Sequence, residues 1–141
     1  MKKSVLVLAV LASFLMGTSL FAHHGTGTSY DMHKVIVVKG VVTKFVMSNP
    51  HSQMYFDVTD DKGAVTHWSA EMRNPRNLES AGFSRKELND KFTPGTAITI
   101  TGNPSKAGTP VLVLGKVELP DGWSMTGAGS PAPGVTGGLV E

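Results

Sequence analysis

The chain opens with an apolar run, Val5 to Met16, set between Lys2 and Lys3 and a stretch of small and polar residues ending at Ala22; beyond it the pattern turns to the two-residue alternation of β-strands. The run is too short to span a bilayer as a permanent helix. Its three-part layout is that of a cleavable secretory leader, residues 1–22, with an uncleaved anchor as the alternative. Residues 23–33, rich in Gly, Thr and His, predict an exposed N-terminal arm.

From Lys34 to Met47 β-branched residues crowd around Gly40 (Val35, Ile36, Val37, Val38, Val41, Val42, Thr43), which predicts one long strand bent at the glycine. Asn49-Pro50 ends it. A second strand, His51 to Thr59, puts Met54, Phe56 and Val58 on one side and His51, Gln53, Tyr55 and Asp57 on the other. Asp60-Asp61-Lys62-Gly63 predicts a hairpin turn with Gly63 left-handed. In the third strand, Ala64 to Met72, Trp68 shares a face with Thr66 and Ala70, and His67, Ser69 and Glu71 take the other. A register that sets Trp68 on the Phe56 side keeps the apolar residues together; a slip by one would expose the indole.

Asn74 as cap and Pro75 in the first turn start a short helix that Gly82 stops. Ser84 with Glu87 makes a capping box for a second turn with Leu88 inward. Phe92-Thr93-Pro94-Gly95 leads into a fourth strand, Thr96 to Gly102, and a loop from Asn103 to Pro110 leads into a fifth, Val111 to Leu119. After Pro120-Asp121-Gly122 the chain is too poor in apolar side chains to add to a core, which predicts a disordered tail, 124–141. Three strands, a helical segment and two more strands are the order of the OB-fold, a five-stranded Greek-key barrel with its helix between strands 3 and 4. The expected fold is therefore mainly β and OB-like over residues 34–123, against a five-stranded sandwich or meander. Trp123 reads either as a barrel plug or as an exposed contact.

Of thirteen basic residues two belong to the leader; the eleven that remain balance eleven acidic ones, so the basic pI belongs to the targeting segment. A neutral mature surface without a Lys/Arg cluster argues against nucleic acid as partner, because phosphates need a concentrated positive field. There is no cysteine, hence no disulfide framework, thiolate metal site or lipid-bearing cysteine, and its absence suits an exported chain. The expected location is periplasmic or secreted, with no stable membrane insertion once the leader is cut. Enzyme signatures are missing: no nucleophile elbow, no HExxH, no phosphate-cradling glycine loop.

The candidate chemistry is histidine. Cleavage after Ala22 would make His23 the N-terminus, where one residue offers an amine and a ring nitrogen, a pair that suits Cu(II) among the common divalent ions. His24 follows, and one further imidazole would complete a three-nitrogen site; His51, at the start of strand two, is the first candidate, ahead of His33 and His67. Met32 and Met47 enter only as weak, soft ligands. Cleavage after Ser19 would instead leave His23 internal, and residues 23–25 would then read as a solvated arm. Glu71 could orient an imidazole from behind. A separate reading takes the strand two–three hairpin, with Tyr55, His67 and Glu71 on its polar side and Trp68 between them, as a platform for a small ligand, the usual binding surface of OB-folds.

As a set, Ala22-His23-His24, Asn49-Pro50-His51, the Asp60 to Gly63 turn before Trp68 and Glu71, the Asn74-Pro75 start, Phe83-Ser84 with Leu88, and Leu119-Pro120-Asp121-Gly122 resemble an uncharacterised family of exported bacterial proteins, the domain of unknown function numbered six-one-five-two. The resemblance covers roughly residues 22–123. It implies that His23, His24, His51, Trp68 and Glu71 carry the family pattern and that His67 stands outside it. The family's Ser and aromatic after the His pair are replaced here by Gly25-Thr26-Gly27, which implies a looser arm. The expected function is an exported binding module, with copper or another transition metal on His23, His24 and His51. The alternative is a metal-free module for a small ligand or an exported protein partner on the strand two–three face.

Overall fold

The computed structural model describes residues 26–126. In chain order the elements are a short turn of helix α1 (Thr26–Ser29), β1 (Ile36–Val46), β2 (Ser52–Thr59), β3 (Val65–Met72), α2 (Pro75–Ser80), α3 (Arg85–Lys91), β4 (Ala97–Pro104), β5 (Val111–Glu118) and β6 (Ser124–Thr126). The strands run β3-β2-β1-β4-β5, and a parallel pairing of β3 with β5, from Ser69 opposite Val111 to Glu71 opposite Val113, closes the ring. The other pairings are antiparallel. The molecule is thus mainly β, a closed five-stranded barrel of OB type with its helices between β3 and β4. Closure disposes of the sandwich and the meander.

β1 serves two neighbours in turn: Ile36 to Val41 pair with β4, and Val41 to Val46 with β2. The bend expected at Gly40 is shared with a bulge between Val42 and Lys44, a device that re-aims a strand at a barrel corner. Gly40 is required by closeness: a Cβ there would stand 2.7 Å from the Asp57 carbonyl oxygen and from a Phe56 ring carbon. The β2–β3 register places Phe56 opposite Trp68, so the indole lies on the core side, its ring 6.3 Å from that of Phe56.

Met54, Phe56, Met72, Ile100, Leu112 and Leu114 fill the barrel, and Leu78 from α2 and Leu88 from α3 are fully buried at its helical end. Each leucine contributes about 1.5–3 kcal/mol of burial. Both helices start as the sequence directs: the Asn74 side chain accepts from the Asn77 amide, and Ser84 from the Glu87 amide. Trp123 proves to be the plug, packed edge-on against Phe83 and Phe92 with its indole N–H donated to Glu87.

Two expected boundaries need correction. The domain does not end at Trp123: Ser124–Thr126 add a strand beside β5, and Met125 is fully buried. One methionine in a polar tail gives no periodicity, yet it suffices when it caps an existing core. Nor is the N-terminal arm free of the barrel: residues 27–29 and His33 are exposed as expected, but Tyr30 between them is buried and the segment is docked, as the next section describes. The expected leader, His23, His24 and the tail from residue 127 onward lie outside the described residues.

Candidate functional site

The site begins with the segment expected to be loose. After α1, Tyr30 forms a β-bridge with Ser105, the Asp31 amide donates to the Pro104 carbonyl, and the Lys106 amide donates to the Ser29 carbonyl. Asn103 is nearly fully buried and donates its side-chain amide to the Lys34 carbonyl at 2.7 Å. Lys106 Nζ reaches the Gly27 carbonyl at 2.7 Å. The reason is complementary hydrogen bonding: a segment poor in apolar residues docks through backbone groups that the end of β4 and the β4–β5 loop leave free. Residues 26–34, expected to be loose, are therefore tied to the barrel.

This docking carries Tyr30 across the barrel wall. Val113 of β5 pairs with Asn103 on one side and Glu71 on the other, so a side chain leaving the β4 edge passes over β5 and arrives at β3. Tyr30 is buried, and its hydroxyl donates to Glu71 Oε2 at 2.8 Å. Burial first, then that hydrogen bond and the carboxylate's charge, push the phenol well above its ordinary value. The other carboxylate oxygen, Oε1, faces His51 Nδ1 at 3.3 Å. His51 sits in the β1–β2 loop after a cis Asn49-Pro50 bond, with its carbonyl accepting from the Ser48 hydroxyl. One carboxylate thus joins the loop histidine to the docked N-terminal segment.

The arrangement has a definite chemical capacity. With Nδ1 turned to a carboxylate, the imidazole offers Nε2 outward as a donor, the geometry by which outer-shell carboxylates orient metal-bound histidines. The His51 side chain is 49% exposed and that of Glu71 21%, so the ring is reachable while its support is sheltered. Tyr30 is the residue that sequence reasoning missed; its only signal was being the one Phe, Trp or Tyr in the 23–33 stretch.

The other expected residues separate from this cluster. His67 lies opposite Asp57 on β2 and contacts its Oδ1 at 2.6 Å through Nδ1. Positions 51 and 57 are six steps apart along the chain, about 20 Å at the usual rise of a strand, so His51 and His67 cannot share one ion. Tyr55, Asp57, His67 and the edge of Trp68 instead line a recess of about 430 Å³ with Thr43 and Lys44; Glu71 is not part of it. A larger groove, about 610 Å³, runs between the start of β1 and the β2–β3 hairpin over Trp68. It holds no histidine, and Asp60 there spends Oδ1 on the Lys62 and Ala64 amides of the turn. Met47 is withdrawn as a ligand because it is buried in the core. His33 is exposed, three residues past Tyr30.

Among the described residues no three His, Cys, Asp or Glu side chains stand close enough to hold a metal ion. His51 has only Glu71 beside it among these residue types, and the histidines expected to join it, His23 and His24, lie outside the described residues. Among the described residues no helix is long and apolar enough to cross a membrane.

Comparison with curated proteins finds no match. A family model, that of a family of unknown function, DUF6152, matches residues 10–112, a span that includes the docked segment, β1–β4 and the start of β5. Tyr30, His51 and Glu71 all fall within that span, and on it the chain belongs to DUF6152.

Proposed function

We propose that this chain is an exported binding module that holds a transition metal ion, copper in the first place, between His51 and the two histidines His23 and His24. One observation carries the reading: Tyr30 and His51 meet on the same carboxylate. The segment that follows the His-His pair is thereby anchored beside the one candidate donor of the barrel. Six residues lie between His23 and Tyr30, and with Thr26–Ser29 helical the span is at most about 17 Å, so the chain connectivity keeps the pair within reach of His51 at high effective concentration. Bound Cu(II) favours tetragonal nitrogen donors, and imidazole with a terminal amine supplies them. The protein's own part is positioning: Asn103 and Lys106 hold the segment, Tyr30 holds Glu71, and Glu71 turns the imidazole.

The reading requires export to the periplasm or beyond and cleavage after Ala22, so that His23 becomes a free N-terminus. Intact mass and N-terminal sequencing of the processed protein, with metal analysis of the same sample and Cu(II) titration of wild type and His51→Ala, test it. The expected result is a chain starting at His23 that binds one Cu(II), with a weaker ligand field and lower affinity in the variant. A chain starting at Leu20, or a variant that titrates like wild type, overturns it.

The second reading, a small organic ligand on the outer face of β2 and β3, is favoured by the recess around Tyr55, His67 and Trp68. Removing residues 23–25 alone discriminates the two: it abolishes the metal site and leaves the recess intact. Deleting 23–33 does not discriminate, because it also strips Tyr30 from Glu71.

A further inference from the structure

We infer that Tyr30 is a positioning residue that decides which ring nitrogen of His51 is offered to a ligand. The inference rests on His51 being the donor of the proposed site, and it concerns a property of the metal-free protein.

The argument is one of donors and acceptors. An ionised carboxylate only accepts, and a phenol has a single proton to give. Tyr30 is buried and spends that proton on Glu71 Oε2. A buried hydroxyl left without an acceptor is costly, so the contact holds Glu71 in one rotamer. In that rotamer Oε1 stands before His51 Nδ1. A neutral imidazole carries its proton on one nitrogen or the other, and an acceptor facing Nδ1 draws it there. Nε2 is then left with its lone pair, pointing away from the carboxylate. The relay runs from a docked chain segment through a phenol and a carboxylate to a ring nitrogen, and each link has one polarity.

That polarity makes a distinctive forecast for Glu71→Gln. The amide keeps the shape of the carboxylate, but Tyr30 still needs an acceptor, so the amide oxygen turns to the phenol and the NH2 group turns to His51. A donor now faces Nδ1, the imidazole proton moves to Nε2, and the outward nitrogen loses its lone pair. With Tyr30→Phe added, nothing dictates which way the amide points, and the tautomers mix.

Long-range proton–nitrogen correlation spectra of the metal-free processed protein read this directly, at a pH where the ring is neutral, with the His51 signal identified by its loss in His51→Ala. Expected are an Nδ1–H ring in wild type, a mixture in Tyr30→Phe, an Nε2–H ring in Glu71→Gln and a mixture in the double variant. Circular dichroism checks that each variant is folded. A Glu71→Gln ring that keeps its proton on Nδ1, or a Tyr30→Phe ring that matches wild type, overturns the inference. Cu(II) titration of the same set separates this from the functional reading: Tyr30→Phe is expected to lose roughly tenfold or more in affinity, within the 10–100-fold common for outer-shell partners. If the tautomers change as stated while His51→Ala leaves Cu(II) binding untouched, the relay stands and the metal reading falls. If His51→Ala abolishes binding and the Tyr30→Phe tautomer is unchanged, the reverse holds.

Discussion

His51, in the β1–β2 loop, and His67, on β3, stand about 20 Å apart, each with Nδ1 turned to a carboxylate, and the tighter contact belongs to the weaker candidate. His67 meets Asp57 at 2.6 Å, but its side chain is 84% exposed. His51 meets Glu71 only at 3.3 Å, yet its partner is sheltered and is gripped from behind by the buried Tyr30. An exposed ion pair gives up in side-chain entropy and screening most of what its short distance offers. A supported pair has its entropy cost met by the fold, so the ring is already placed when a ligand arrives. Distance between partners is therefore a poor guide to a site; what stands behind the partner is a better one.

The largest test of this contrast is metal affinity. His51→Ala is expected to weaken Cu(II) binding by roughly a hundredfold or more, beyond the range of an outer-shell change, and His67→Ala not at all. Calorimetric titration of the two variants side by side breaks the comparison if their losses are equal.

The next test is stability. Glu71→Ala leaves the Tyr30 hydroxyl buried without its acceptor, and is expected to cost about 1–3 kcal/mol in urea unfolding. Asp57→Ala frees only an exposed imidazole, with an expected change within about 0.5 kcal/mol. Equal costs would mean that Tyr30 finds another acceptor and that the two regions do not differ in support.

Much of this molecule is legible from its sequence, and the unreadable part is of one kind. Asn74-Pro75, Ser84 with Glu87, the Asp60 to Gly63 turn and the Phe56–Trp68 register follow from local rules: a cap, a left-handed glycine, a period of two. The pairing of His51 with Glu71 was within reach because both lie on the polar rim of adjacent elements. Tyr30 and Met125 were not. Each is a lone large side chain in a polar stretch, and its burial is decided by what it meets on a distant strand: Glu71, 41 positions away, for the one and the end of the closed core for the other. Met47 failed for the complementary reason, since a thioether at a strand end reads as available until the barrel closes over it.

Alkaline pH sharpens the contrast by a smaller amount. Tyr30 has its phenol raised above the ordinary value of 10.0 by burial and by Glu71. A group raised on folding stabilises fully below its unfolded value, and that contribution drains away as pH climbs from there through the folded value. Wild type is expected to lose stability above about pH 10 more steeply than Tyr30→Phe, measured as the difference between their urea midpoints, which cancels the other tyrosine and the lysines. The His67 end has no buried phenol, so Asp57→Ala keeps the wild-type slope. Parallel curves for wild type and Tyr30→Phe would mean that the phenol is not held in the folded state.

The smallest expected effect is that of His67→Ala on stability, and its smallness is itself informative. The pair it breaks is open to solvent on the histidine side and lies opposite in register, so the Coulomb gain is shared with water and with salt. The Debye length falls from about 8 Å at physiological salt to about 3 Å at 1 M, comparable with the contact itself. Any difference between wild type and His67→Ala, expected within about 0.5 kcal/mol, should therefore vanish at 1 M salt. Glu71→Ala should keep its cost at the same ionic strength, because an orphaned neutral hydroxyl carries no charge for salt to screen. A His67→Ala loss that persists in high salt would show that the Asp57 pair has support of its own, and would move the ligand-binding reading to the recess beside Tyr55.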